Sequence, residues 1–261
     1  MPSLTFAVLQ TGLYPNDEKR AIREALAMLK RSAKDHSVRL FCFPEHWLMD
    51  KILAGDEDPL YGTFSDLAKS LDAYINLGGI FEKFDAATYF LSPTISPSGK
   101  IISKQKKVHL FRRENELAIG GDSFLSFKID EIPTGVMVCH DVVFPESART
   151  LVLQGAELLL NPSLIPSLGI SPWRTYLMAR ALENRVPIIA PNPSLGVRVP
   201  GRTELLGLSY EKKQGIMEVK ELAKPLTGKR AYVGKLDFNK ELDALRQERL
   251  SERKPAAYFN G

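Results

Sequence analysis

Short apolar runs of strand length alternate with segments of helical period along most of this chain, and that alternation restricts it to a layered fold in which helices cover a sheet. Residues 4–9 read as a buried strand, Ile22, Ala25, Leu26, Leu29 and Ala33 recur at helical spacing, and residues 38–43 are apolar again, which makes a β-α-β unit. Further apolar runs occupy residues 87–95, 135–139, 157–160 and 186–190. Pro97-Ser98-Gly99-Lys100 has turn chemistry between two extended segments, so part of the sheet is expected to be an antiparallel hairpin and the sheet as a whole mixed. Residues 238–253 carry Leu242, Leu245 and Arg249 at helical spacing among many charges, which predicts an outer or intersubunit helix. With 261 residues, no low-complexity linker and no repeat, the whole chain, 1–261, is expected to form one α/β domain.

Several classes of function are excluded early. No run approaches the roughly 18 apolar residues needed to span a bilayer, and Met1-Pro2-Ser3-Leu4-Thr5 does not open an export signal, so a cytoplasmic protein without a membrane partner is expected. The formal charge is +4, but only Lys104, Lys106 and Lys107 cluster tightly, and a solvated surface accounts for the other basic residues better than nucleic acid binding does. Cys42 and Cys139 are the only cysteines; in a chain without an export signal they are expected to be unpaired, and one of them could be a working thiol.

Cys139 closes the apolar run that starts at Gly135 and is followed by Phe144-Pro145-Glu146 and a helical pattern through Arg149 and Val152. A strand-to-helix turn of this kind can present a nucleophile at the sheet edge with backbone N–H groups nearby; read alone, a thiol on an apolar strand is more often a small buried hydrophobe. His140 adjoins it, but neighbours on a strand point to opposite faces, so the base must come from elsewhere. His36, His46 and His109 lie in no metal-ligand spacing, and neither zinc nor iron is expected. Glu45, after Phe43-Pro44 at a strand end, is either a partly desolvated base or an ordinary helix-start carboxylate. Lys107, where Lys104-Gln105-Lys106 gives way to Leu110 and Phe111, is either held inward or part of a solvated basic run. The words Phe43-Pro44-Glu45 and Phe144-Pro145-Glu146 repeat each other, either by chance or because the two halves contribute corresponding strand ends to opposed sheets.

Taken together, Phe43-Pro44-Glu45, then Lys107-Val108-His109-Leu110-Phe111, then Cys139-His140-Asp141 with Phe144-Pro145-Glu146 and Arg149, resemble the nitrilase, or carbon–nitrogen hydrolase, superfamily. Gly155-Ala156-Glu157 leading to Asn161-Pro162-Ser163, and Arg180-Ala181-Leu182-Glu183-Asn184, are similar to its downstream words. The resemblance implies a four-layer α-β-β-α sandwich with two mixed β-sheets, paired through helices into a homodimer or higher homo-oligomer. It also implies a base at Glu45, an oxyanion-binding ammonium at Lys107, a nucleophile at Cys139 and an oxyanion-binding backbone N–H at His140. The family's second glutamate corresponds to Glu114, with Glu116 as the fallback. Glu146, Arg180 and Glu183 are structural or substrate-positioning candidates; for Arg180 the structural reading stands beside a sharper one, a clamp for a substrate carboxylate. This chain departs from the pattern in having His140 where Tyr or Trp is usual, and Gly207-Leu208-Ser209 is read as lacking the usual following strand and turn.

The expected activity is cysteine-dependent hydrolysis of a small amide, of amidase, omega-amidase or N-carbamoyl-amine type, through a thioester and without metal or organic cofactor. A true nitrilase, an acyltransferase and a non-catalytic binding protein on the same scaffold are the alternatives.

Overall fold

The computed structural model describes residues 2–34, 37–49 and 51–257; His36 lies outside the described residues. Two sheets form the centre. The first has eight strands, ordered Arg230–Asp237, Ser3–Gln10, Leu40–Cys42, Tyr74–Asn76, Ala87–Ile95, Ile80–Phe84 and Ile52–Leu53, with Ile101–Lys106 also paired to Ala87–Ile95. The second has six: Ile216–Glu221, Glu204–Glu211, Ile188–Ala190, Leu158–Leu160, Ile132–Val136 and Phe127–Ile129. Both are mixed. Ser3–Gln10 runs parallel to Leu40–Cys42 but antiparallel to Arg230–Asp237, and Leu158–Leu160 is parallel to both its neighbours while Ile188–Ala190 meets Glu204–Glu211 antiparallel.

The alternation within the strands builds the layers. Leu4, Phe6, Val8, Leu40 and Cys42 point inward and meet Val136, Leu158, Leu160, Ile189 and Leu205 of the second sheet. Ala7, Leu9, Phe41 and Ile75 point the other way, against Ala25 and Leu29 of helix α1 (Glu18–Ala33) and Phe64 and Ala68 of α2 (Pro59–Leu71). On the far side, Leu159, Ile188 and Leu206 pack against Leu151 of α3 (Pro145–Leu153) and Trp173, Leu177 and Ala181 of α4 (Ile170–Asn184). Each sheet is therefore buried on both faces, which is why the central strands read as continuous apolar runs; each fully buried Leu or Phe contributes about 1.5–3 kcal/mol. The result is the expected α-β-β-α sandwich.

Local signals set the helix ends. Asp17 accepts a hydrogen bond from the Arg20 N–H (3.0 Å), Asp58 from the Leu60 N–H (3.0 Å) ahead of Pro59, and Asn239 from the Leu242 N–H (2.8 Å) at the start of α5 (Lys240–Ser251). The last is the helix expected in the tail; it packs on α4 and carries Leu250 against the outer core.

Two expectations need correction. Gly207-Leu208-Ser209 lies within the strand Glu204–Glu211, which turns into Ile216–Glu221, so the strand-turn pattern is present. Lys212, Lys213, Gln214 and Gly215 (φ +69°) make the turn polar enough to hide the pairing in the sequence. The strand before the cysteine ends at Val136, and Cys139 opens a 3-10 turn, Cys139–Val143. Opposite-facing strand geometry therefore does not govern Cys139 and His140.

Candidate active site

The C-terminal ends of Leu40–Cys42 and Ile132–Val136, in opposed sheets, bring Glu45 and Cys139 together. Glu45 is buried, and its two oxygens are committed separately. Oε1 accepts a hydrogen bond from the Lys107 ammonium at 2.7 Å, and Oε2 accepts the Leu164 backbone N–H at 2.9 Å. Lys107 emerges from the end of Ile101–Lys106, completely buried, and also donates to Glu114 at 2.8 Å. Burial works against its charge, but Glu45, the neighbouring Cys139 and Glu114 outweigh that and raise its pKa net.

Glu114 opens the short helix Glu114–Leu117 and accepts the Phe111 N–H at 2.7 Å and His46 Nε2 at 3.2 Å. Burial opposes its ionisation, yet the His46 hydrogen bond, the Lys107 charge and hydrogen bond, and the Phe111 N–H hold its carboxyl below the usual range. His46 lies against Phe90 (ring centroids 4.6 Å) and Phe81 (5.5 Å). Burial would keep this imidazole neutral, but Glu114 and Glu45 raise its pKa net. Glu45, His46 and Glu114 present ligand atoms within 4.8 Å of one another, but Lys107 Nζ is bonded to both carboxylates, so a cation there would have to displace the ammonium.

Cys139 sits at φ +46°, a left-handed conformation that costs a non-glycine residue on the order of 1–3 kcal/mol. Its surroundings hold it there. The Cys139 N–H donates to Pro162 O (2.9 Å), and Asn161 Nδ2 donates to Met137 O (2.7 Å) and Cys139 O (3.3 Å). Asp141, fully buried, accepts the Val138 N–H (2.9 Å) on one oxygen and the His109 N–H (2.8 Å) on the other. That residue thus ties the cysteine turn to the lysine segment. Burial first, then the Glu45 charge, pushes the thiol well above its ordinary value; Lys107 and the Leu164 N–H pull the other way. The Cys139 thiol thus stands beside the Glu45 carboxylate.

Close backbone approaches shape the floor. A side-chain carbon added at Gly79 would stand 2.7 Å from Glu45 Cγ and 2.8 Å from Phe90 Cε1, and Gly78 (φ +67°) passes so near Pro44 O that no side chain fits. An open cleft of about 740 Å3 leads to Cys139, walled largely by apolar residues that include Leu164, Ile165 and Trp173. His140 lines it, its ring against Phe111 (4.7 Å) and Phe144 (5.5 Å); burial, then the Lys107 charge, lowers its pKa and keeps the imidazole neutral.

A search against family models matches the carbon–nitrogen hydrolase family over residues 5–217. The chain belongs to the carbon–nitrogen hydrolase family. Among curated relatives of this chain, a nitrilase of Pyrococcus abyssi is 38% identical over 46% of the chain and 45% of its own length. A deaminated glutathione amidase of Dictyostelium discoideum is 28% identical over 67% and 69%, and an omega-amidase of Xenopus tropicalis 30% identical over 50% and 51%. The matched stretch thus spans about half the length of the nitrilase and the omega-amidase. Solved structures share the fold end to end: a carbon–nitrogen hydrolase of Helicobacter pylori G27 (TM-score 0.85, 21% identity, 98% and 97% covered) and Nit3 of Saccharomyces cerevisiae (0.83, 21%, 97% and 96%).

In this chain the structure brings Glu45, Lys107, Glu114, Cys139 and His140 together and leaves other candidates outside. Glu116 is exposed on the short helix and takes no part, so Glu114 is the second glutamate of the cluster. Glu146 is exposed in the first turn of α3, where it complements the helix dipole, and the repeated Phe-Pro-Glu word has no corresponding role there. Arg180 does not reach the cleft lining: its guanidinium donates to Val142 O (3.0 Å) and Val143 O (2.8 Å) and pairs with Glu183 (3.2 Å). His46, Asp141, Asn161 and the Leu164 N–H carry positioning contacts that no reading of the sequence assigned. Adjacency to Glu45 and Cys139 was the available signal for the first two; the 161–164 segment had none that spacing could supply.

Proposed function

We propose that this chain hydrolyses non-peptide C–N bonds in small amides through an acyl-thioester on Cys139. The observation that carries the reading is the buried chain Glu45–Lys107–Glu114 set beside a thiol at the foot of an open cleft. Glu45 takes the proton of Cys139 as sulfur attacks the amide carbonyl, and the Lys107 ammonium with the His140 backbone N–H receives the developing oxyanion. As the tetrahedral intermediate collapses, the C–N bond breaks and Glu45 returns the proton to the leaving ammonia or amine. Glu45 then removes a proton from water, which attacks the thioester; the C–S bond breaks, sulfur regains a proton and a carboxylic acid leaves. Glu114 keeps Lys107 in place, and no step calls for a metal or organic cofactor.

The relatives named as omega-amidase and deaminated glutathione amidase support the amide as the group cleaved. The nitrilase relative favours a second reading, attack on a nitrile carbon by the same sulfur. Ammonia release from aliphatic amides, dicarboxylate monoamides, N-carbamoyl compounds and nitriles, with Cys139→Ala beside the parent, separates them. Release from amides that the variant abolishes supports the proposal; release from nitriles alone favours the second reading, and undiminished release by the variant overturns both.

A further inference from the structure

Glu45, Lys107 and Glu114 are all buried, and two carboxylates share one ammonium, so these three side chains by themselves leave a net negative charge beside Cys139. An unbalanced buried charge is costly, and this one would repel the negative oxygen that forms when sulfur attacks a carbonyl. A group that can balance it touches Glu114. His46 follows Glu45 in the chain, is itself largely buried, and directs Nε2 at Glu114 Oε1, 3.2 Å away. We propose that His46 is a positioning residue that works as the imidazolium: it neutralises the Glu45–Lys107–Glu114 chain and holds Glu114 against Lys107, and loss of its proton slows the reaction. Which reaction is slowed rests on the proposed function; the charge of His46 can be read without turnover.

Geometry around the ring favours a cation. Glu114 Oε1 faces both His46 Nε2 and Lys107 Nζ, so the ring nitrogen opposite the carboxylate carries a hydrogen. The Phe90 ring centre lies 4.6 Å from that of His46 and 5.1 Å from Lys107 Nζ, so one aromatic ring contacts both groups, and Phe81 meets the imidazole at 5.5 Å. His46 adopts φ +55°, which glycine takes freely and other residues only at a cost, and its backbone is pinned by its N–H to Gly79 O (2.8 Å) and by the Met49 N–H to its carbonyl (2.8 Å). A glycine would suit the turn better, so what this position supplies is the imidazole. The charged groups facing it are Glu114 from the short helix, Lys107 from the end of Ile101–Lys106 and Glu45 from its own segment; Glu82, next to Phe81, turns away to Tyr61 and Lys104. Burial opposes the imidazolium, the Glu114 hydrogen bond and the charges of Glu45 and Glu114 favour it, and Lys107 opposes it; the balance keeps His46 charged to a higher pH than an ordinary histidine, whereas His140 in the cleft loses its proton lower.

Two measurements on the full chain test this. Long-range 1H–15N spectra of the substrate-free, histidine-labelled protein, with the His46 ring assigned through its own backbone resonances, should show an imidazolium at pH 7. In Glu114→Gln its midpoint should lie lower by about one pH unit or more. In the parent, kcat for a hydrolysed amide should fall about tenfold as pH rises through the His46 midpoint, with KM little changed. His46→Gln, which keeps an N–H donor without the charge, should give a flat kcat over the same range, near the alkaline plateau of the parent. A neutral His46 at pH 7, a midpoint unmoved in Glu114→Gln, a parent kcat with no fall at the midpoint, or the same fall persisting in His46→Gln would each overturn the proposal. A charged His46 in a protein that turns over no amide would sink the proposed function and leave the charge assignment standing.

Discussion

Lys107 Nζ lies 2.7 Å from Glu45 Oε1 with both side chains out of contact with solvent. A buried pair of this kind is costly to break one-sidedly, because the surviving charge has neither water nor a partner. Lys107→Met should therefore lower stability by about 3–5 kcal/mol in denaturant titration. It should also reduce kcat about 100-fold to 1000-fold if the ammonium receives the oxyanion. A variant that unfolds at lower denaturant but turns over within tenfold of the parent would assign Lys107 a purely structural part.

Glu114 holds Lys107 from the other side, and its carboxyl is kept below the usual range despite burial. Because the folded-state value is depressed, the stabilisation it gives is full above the unfolded value of about 4.3 and is lost as pH falls through the folded value. The stability gap between parent and Glu114→Gln should be constant near neutrality and close below about pH 4. At neutral pH the variant should lose roughly tenfold to 100-fold in kcat with little change in KM, the pattern of a group that positions the oxyanion donor. Glu116→Gln should match the parent within about twofold.

The Cys139 thiol is pushed well above its ordinary value of about 8.5 by burial and by Glu45. Thiolate accumulates only above the raised value, so alkylation of the substrate-free protein by iodoacetamide should climb about tenfold per pH unit and show no plateau through pH 9. A plateau below pH 8 would mean a preformed thiolate and would remove the need for Glu45 to take the proton.

Asp141 joins the segment of Cys139 to that of Lys107, accepting the Val138 and His109 N–H groups from within the core. Asp141→Ala leaves both donors unpaired and should cost about 2–3 kcal/mol. Since Cys139 is held at positive φ by this turn, kcat should fall at least tenfold in protein that remains folded, measured at a temperature well below its midpoint.

Gly79 and Gly62 make an internal control. Gly79→Ala would drive a methyl group into Glu45 Cγ and the Phe90 ring and should lower kcat/KM by more than tenfold. Gly62, exposed within α2 with nothing near the added carbon, should gain about 0.5–1 kcal/mol on substitution by Ala and keep its activity.

The layers were legible in the sequence because each sheet is covered on both faces: Leu4, Phe6 and Val8 look one way and Ala7 and Leu9 the other, so the whole run is apolar. The turn at residues 97–100 likewise announced the hairpin between Ala87–Ile95 and Ile101–Lys106. Cys139, Glu45 and Lys107 could be picked out only as ordered words resembling a family, since each is ambiguous alone and their meeting depends on two strand ends in opposed sheets. Contacts made by backbone groups, such as Leu164 N–H to Glu45, leave no trace in residue type. The arginines show the same limit: helical spacing drew attention to Arg180, which is spent on two carbonyls, while Arg198 reaches the cleft through a hairpin that periodicity does not reveal.

Passage of the acyl group through Cys139 can be followed by rapid-quench intact-mass and peptide-mass analysis during turnover of a hydrolysed amide. A transient increase equal to one acyl group replacing one hydrogen is expected, confined to the peptide containing Cys139, absent from Cys139→Ala and discharged by water. Steady ammonia release with no acyl adduct on that peptide at any time, or hydrolysis persisting in the alanine variant, would contradict it.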